Sequence, residues 1–169
     1  MAKQEALPDG QRKRRRPEPS PAQRALGLLV RREHSRKELA RKLAARGVDE
    51  QAAAAAIERM AAAGWQDDAR FATSLARMRA GTGHGPVRIR AELATHGLAD
   101  EVIAQAFAAL AEAGEDDWKG RARELALRRF GADFAGDLAL RRKAADFLLR
   151  RGFDGDAIRA VTRGGCDDG

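Results

Sequence analysis

Apolar residues recur along most of the chain at the three- and four-residue intervals of helices buried on one side. Ala25, Leu28 and Leu29 form such a stripe on a helix that Pro21 can open and that extends to Arg32. Ser35 starts a second helix, with Glu38 three positions on to complete a capping box and Lys42 one turn further as an ion-pair partner. Its inward residues are Leu39 and Leu43. A third helix runs from Asp49 to near Ala63 on Ala53, Ile57 and Met60, and Gly64 stops it. The series restarts at Trp65-Gln66-Asp67-Asp68, where an aspartate caps a helix carrying Phe71, Leu75 and Met78. A flexible loop, Gly81 to Pro86, leads to Ile89 and Leu93, which repeat the spacing of Leu39 and Leu43. Ile103, Phe107 and Leu110 mark the next helix, which ends at Gly114. The pattern runs a third time from Asp116-Asp117-Trp118 through Leu125, Leu127 and Phe130, then a loop to Asp137. Leu140, Ala144 and Leu148 form the next stripe, and a short helix with Ile158 closes the series.

One phrase punctuates this series. Leu43-Ala44-Ala45-Arg46-Gly47-Val48 returns as Leu93-Ala94-Thr95-His96-Gly97-Leu98 and as Leu148-Leu149-Arg150-Arg151-Gly152-Phe153, the glycines standing 50 and then 55 residues apart. A leucine one turn before each glycine and an apolar residue just after it predict a left-handed helix cap, with the apolar residue folded back on the last turn. Acidic residues at each following helix start (Asp49-Glu50, Asp100-Glu101, Asp154) suit the positive end of the helix dipole. The expected fold is all-α: three tandem three-helix, helix-turn-helix-like repeats in an elongated array, its curvature left open. The expected boundaries are a disordered basic tail over 1–20, repeats over 21–64, 65–114 and 115–165, and a C-terminal tail over 166–169.

Charge changes the functional picture. The chain of 169 residues carries a net +7, which points to a polyanionic partner or an acidic protein surface. Arg12-Lys13-Arg14-Arg15-Arg16 lies in the proline-containing tail, where it can touch phosphates or simply keep the chain soluble. Helix, glycine turn, helix suggests a DNA reader whose second helix enters the major groove. The helices after Gly47 and Gly97 argue otherwise: 49–63 has a net −2, and Asp100, Glu101 and Glu112 face no base in their helix. Such helices repel phosphates and are read as packing elements.

The preceding helices hold the positive charge. Ser35 to Arg46 has five bases against Glu38, and Asp137 to Arg151 has five against Asp137 and Asp146. Either can be a contact surface or a solvated face laced with ion pairs, Asp146 to Arg142 and Arg150 among them. Arg77, Arg79, Arg88 and Arg90 bracket the glycine-rich loop with no acid between them, and are the leading candidates for contact. Arg36, Lys37, Arg142 and Lys143 are secondary ones.

No catalytic constellation is found, and neither cofactor nor metal is expected. His34, His84 and His96 lack a second ligand at metal spacing, and Cys166 has no evident base beside it. The glycine-rich loop lacks the Gly-Lys-Ser/Thr of a phosphate loop and follows a helix. The aspartate pairs are explained by capping. The chain has no apolar segment of membrane-spanning length, and a single cysteine fits a reducing compartment, so the expected location is the cytoplasm.

Four motifs in order resemble the RecX family of RecA regulators: Ser35-Arg36-Lys37-Glu38-Leu39; Gly64-Trp65-Gln66-Asp67-Asp68 with Arg70-Phe71; Gly83-His84-Gly85-Pro86 with Ile89; and Phe147 to Asp154. The resemblance covers about residues 22 to 163. It departs at Trp65, where many members have tyrosine, and in the basic tail, which is not a family feature. The resemblance implies a cytosolic bacterial protein that lies in the helical groove of the RecA–DNA filament. There it limits filament extension, ATP hydrolysis, strand exchange and coprotease cleavage. The expected partners are the RecA filament and, weakly and without sequence selectivity, single- and double-stranded DNA, with the protein acting as a monomer away from membranes. The rival reading is a direct DNA-binding module that regulates transcription or the nucleoid.

Overall fold

The structure, a computed structural model, describes residues 17–163. The basic run Arg12 to Arg16, Gly164-Gly165 and Cys166 lie outside the described residues. Among the described residues nine α-helices follow in order: α1 Pro21–Leu29, α2 Arg36–Ala44, α3 Glu50–Ala62, α4 Asp68–Gly81, α5 Pro86–Thr95, α6 Asp100–Glu112, α7 Trp118–Phe130, α8 Leu138–Arg151 and α9 Gly155–Arg163. They group in threes, each with its own core. Leu39, Leu43 and Ile57 centre the first, Phe71, Ile89, Leu93 and Leu110 the second, and Phe134, Leu148 and Phe153 the third. In every module the first and third helices make the broadest contact, and the middle helix packs against both. Trp118 packs against both the second and the third core and ties the two together.

The caps form as the glycine phrase implies. Gly47, Gly97 and Gly152 have φ of 74°, 72° and 83°. The Val48 amide donates back to the Leu43 carbonyl, and the Phe153 amide to that of Leu148, both at 3.1 Å. Phe153 and Leu98 are buried on the turns they cap.

Other details differ from expectation. The first helix ends at Leu29, short of Arg32. Its start has the reciprocal capping box: the Ser20 hydroxyl accepts from the Gln23 amide, and the Gln23 side chain accepts from the Ser20 amide. Ser35 caps α2 by accepting from the Glu38 amide at 3.1 Å, but the Glu38 carboxylate does not return the bond. It is buried, and Arg32 grips it with both guanidinium nitrogens, leaving Lys42 at 3.8 Å. A buried carboxylate takes the partner that satisfies both oxygens. The expected loop after Gly131 is a 3-10 turn over Ala132–Gly136 that inserts Phe134 into the third core. With the longer α8, this turn accounts for the wider spacing before Gly152.

The loop after α4 is packed into the fold from Gly83 onward rather than open to solvent. Gly83, Gly85 and Pro86 are buried, and the Gly85 amide donates to the Arg151 carbonyl at 2.8 Å. The Val87 amide donates to the Gly152 carbonyl at 3.0 Å, so the start of α5 sits on the end of α8. The start of α2 meets the end of α5 in the same sense: Lys37 Nζ donates to the Thr95 carbonyl at 2.9 Å, and Ser35 Oγ lies 3.0 Å from His96 Nδ1. The three middle helices therefore form a head-to-tail row, the positive end of each dipole against the negative end of the next.

Candidate interface for a polyanionic partner

Folding divides the arginines that bracket the glycine-rich loop. Arg77 projects from α4 to Glu115, with Nε donating at 2.6 Å. Arg79, one half-turn on, makes a bidentate pair with Glu92 of α5 at 2.8 and 2.6 Å. That hydrogen bond holds the Glu92 carboxyl below the usual carboxylate range and raises the Arg79 guanidinium. Both acids lie outside the bracket in sequence, so the absence of acid within it did not mean unpaired arginines. Arg90 stacks over the Phe107 ring at 3.9 Å, in cation–π range. Arg88 has no carboxylate partner among the described residues; its Nη1 reaches the Arg150 carbonyl only at 3.4 Å. The four are thus one free cation, one stacked cation and two neutralised ones.

The secondary candidates also separate. Arg36 pairs with Glu58, and its backbone amide is held by Asp68 at 3.1 Å. Lys37 is spent on the Thr95 carbonyl. These two belong to the contact between the first and second modules. Arg142 and Lys143 are exposed on α8, and no ion pair forms with either of them or with Asp146 among the described residues. The expected pairing of Asp146 with Arg142 and Arg150 is absent: at i−4 and i+4 the three can share a helix face, yet in solvent a pair gains little against side-chain entropy.

The structure assembles a basic site that the sequence reading passed over. Two adjoining hollows lie where the glycine-rich loop meets α7 and α8, sharing Thr82, Leu125 and Arg128. Arg121 and Glu124 line the first, while Arg129, Phe147 and Arg151 line the second. Glu124 is the single acid on either lining, and it pairs with Arg128. Arg121 ties the hollow to both neighbours, reaching the Ala80 and Glu115 carbonyls at 3.4 and 3.2 Å. Arg151 lies 5.3 Å from the Phe147 ring and 3.4 Å from the Thr82 carbonyl. His84 stands beside this site, its Nδ1 3.2 Å from the Thr82 hydroxyl. Burial, and then the Arg88 and Arg151 charges, hold its imidazole below the ordinary histidine range. A signal for this site was present: 118–130 carries five bases against Glu124, as basic as Ser35 to Arg46.

A different hollow lies between α2 and α3, with a floor of Ala40, Ala44, Ala53 and Ile57 between basic Arg36 and Arg41 and acidic Glu50 and Glu58. Among the described residues no helix is long and apolar enough to cross a membrane.

Comparison with known proteins places these modules. Family models for the first, second and third three-helix domains of RecX match residues 23–60, 67–106 and 115–162. A protein named regulatory protein RecX from Stenotrophomonas maltophilia (strain R551-3) is 60% identical over 168 residues, 99% of this chain and 100% of that protein. One of the same name from Xanthomonas oryzae pv. oryzae (strain PXO99A) is 57% identical over 168 residues, again 99% of this chain and 100% of the relative. A crystal structure of RecX from Lactobacillus salivarius superposes with a TM-score of 0.69 at 22% identity, covering 85% of this chain and 93% of that one. At that identity the likeness speaks for the fold alone.

Proposed function

The chain belongs to the RecX family, and from that membership we propose that it is a negative regulator of the RecA recombinase. It lies in the groove of the RecA–DNA filament and limits filament extension, ATP hydrolysis, strand exchange and coprotease activity. The observation that carries this reading is the near-full-length match to proteins named regulatory protein RecX. A row of three modules with basic faces supports it, since such a row can follow a long groove. The protein acts without catalysis of its own, in the cytoplasm, as a monomer, with 21–64, 65–114 and 115–165 as its folding units. Among the eight candidate residues, Arg88, Arg142 and Lys143 are the most available to a partner. Arg77 and Arg79 must first give up Glu115 and Glu92, and Arg90 its seat on Phe107. Arg36 and Lys37 hold the first joint and contribute through it.

The direct test adds substoichiometric protein to RecA strand-exchange and DNA-dependent ATP hydrolysis assays. Both rates are expected to fall, and unchanged rates would sink the reading. The rival, a sequence-reading DNA-binding module, expects selective binding without RecA. A titration against competing random DNA separates them: the filament reading expects weak, salt-sensitive binding that random DNA displaces fully. A folded Arg77, Arg79, Arg88 and Arg90 quadruple alanine variant is expected to lose much of its inhibition, most of that through Arg88.

A further inference from the structure

We propose that the hollows at the joint of the second and third modules form a seat for the phosphodiester backbone of a nucleic-acid strand, held by Arg128, Arg129 and Arg151 around Thr82. The inference deepens the filament reading by giving the strand a place on the protein, yet it can be tested without RecA. Three guanidinium groups from two helices converge on one loop, with Arg121 lining the adjoining hollow. The opposing acid, Glu124, pairs with Arg128 where both side chains are 70% exposed, so water and a competing phosphate reach the pair freely. Arg129 and Arg151 have no carboxylate partner among the described residues. Planar guanidinium forks match phosphate oxygens two at a time, and a row of them tracks a backbone.

The loop itself cannot cradle a phosphate. Its amides at Thr82, Gly83, His84 and Gly85 already donate to the carbonyls of Met78, Ala80, Arg79 and Arg151. The start of α5 is closed as well, because Gly152 abuts it with Arg88 N only 2.6 Å from where a Cβ would stand. An anion is therefore held by side chains on an open face, which suits a strand better than a free nucleotide. The loop is also fixed against the floor: a Cβ at Gly83 would come within 2.9 Å of Leu125 Cδ2. A floor already packed in place lets the arginines bind without ordering the backbone first. Burial first, and then the Arg88 and Arg151 charges, lower the basicity of His84, and the second cause agrees with a positive field at this place.

The test measures fluorescence anisotropy of a labelled oligothymidine against the full chain at two salt concentrations. R128A/R129A is expected to bind about tenfold more weakly at low salt, with a log–log salt slope smaller by about 1. R31A/R59A, which removes the same charge from exposed positions of the first module, is expected to lose less than about threefold by the same reasoning. Circular dichroism verifies that both fold. Equal losses in the two pairs, or no binding by the wild-type chain, overturn the seat. Inorganic triphosphate serves as competitor. If it displaces the strand at micromolar concentration, the seat belongs to free polyphosphate and the strand assignment is wrong. Strand binding without inhibition of RecA would remove the filament reading and leave the seat standing.

Discussion

The two joints of the module row perform the same task with different materials. Between the first and second modules the contact is made by side chains. Ser35 meets His96, Lys37 reaches the Thr95 carbonyl, Asp68 holds the Arg36 amide, Gln66 reaches the His34 carbonyl, and Arg70 pairs with Glu33. Asp67 caps its own helix, whereas Asp68, its neighbour, serves α2 across the joint. Between the second and third modules backbone also meets backbone, at Gly85, Val87, Arg151 and Gly152, with the Arg88, Arg121 and Arg151 side chains reaching carbonyls beside it. A Cβ on Gly85 would lie 2.3 Å from the Gly152 carbonyl carbon. A Cβ on Gly152 would stand 2.6 Å from the Arg88 amide nitrogen, whereas at Gly97, its counterpart in the first joint, an added Cβ would meet only the Lys37 side chain at 3.6 Å, an ordinary contact. Polar side chains can exchange partners for water, while two apposed main chains cannot shift without losing the joint. The second joint is accordingly the stiff one, and it carries the proposed strand seat.

The sharpest way to break this contrast is to place one methyl at each joint. Gly152→Ala is expected to cost about 3 kcal/mol, because positive φ adds to a backbone overlap that cannot relax. Gly97→Ala, at nearly the same φ, is expected to cost about 1 kcal/mol from the dihedral alone. Thermal unfolding of both variants measures this, and equal costs would show the second joint to be as yielding as the first.

Ser35→Ala comes next. It removes the α2 cap and the contact with His96 from a fully buried position, for about 1.5 kcal/mol. Asp68→Ala is expected to cost about 1 kcal/mol, and its loss should combine non-additively with Ser35→Ala if the first joint is one network. A double-mutant cycle by denaturant unfolding measures the coupling; strict additivity would divide the joint into independent contacts. Arg79→Ala, on a partly exposed pair within the second module, is expected to cost less than about 1 kcal/mol and to leave both joints intact.

The smallest expected effect is that of acid. Burial holds His34 below its ordinary value, against the pull of a backbone hydrogen bond to the Arg32 carbonyl and of the Glu38 charge. The unfolded chain then binds the proton more readily than the folded one. The stability that neutral His34 contributes is complete above the ordinary imidazole range and declines as pH falls through it. His84 acts in the same sense at the second joint. The thermal midpoint should therefore drop between pH 7.5 and 5.5, by a smaller amount in His34→Gln, as a pH series by circular dichroism would reveal.

Much of this architecture is legible along the chain. The apolar stripes at Leu39 and Leu43, Ile89 and Leu93, and Ala144 and Leu148 place the middle helices, and the glycine phrase places their caps. The interface was less legible. Reading acids only between Arg77 and Arg90 left out Glu92, just past Arg90, and Glu115, which neutralise two of the four arginines. Reading Gly81 to Pro86 as flexible followed composition, where those glycines in fact permit close packing. Ser35 predicted a cap correctly, but Glu38 chose Arg32 over a return bond.

The division has a physical cause. Helix periodicity, capping hydroxyls and left-handed glycines act within four or five residues, so the sequence alone determined three three-helix modules and the glycine caps of their middle helices. The joints are made by residues far apart in the chain: Ser35 and His96 are 61 positions apart, Arg88 and Arg150 are 62, and Thr82 and Arg151 are 69. Which carboxylate reaches which arginine, and which backbones touch, depends on how the modules dock. Only the tertiary structure decided that.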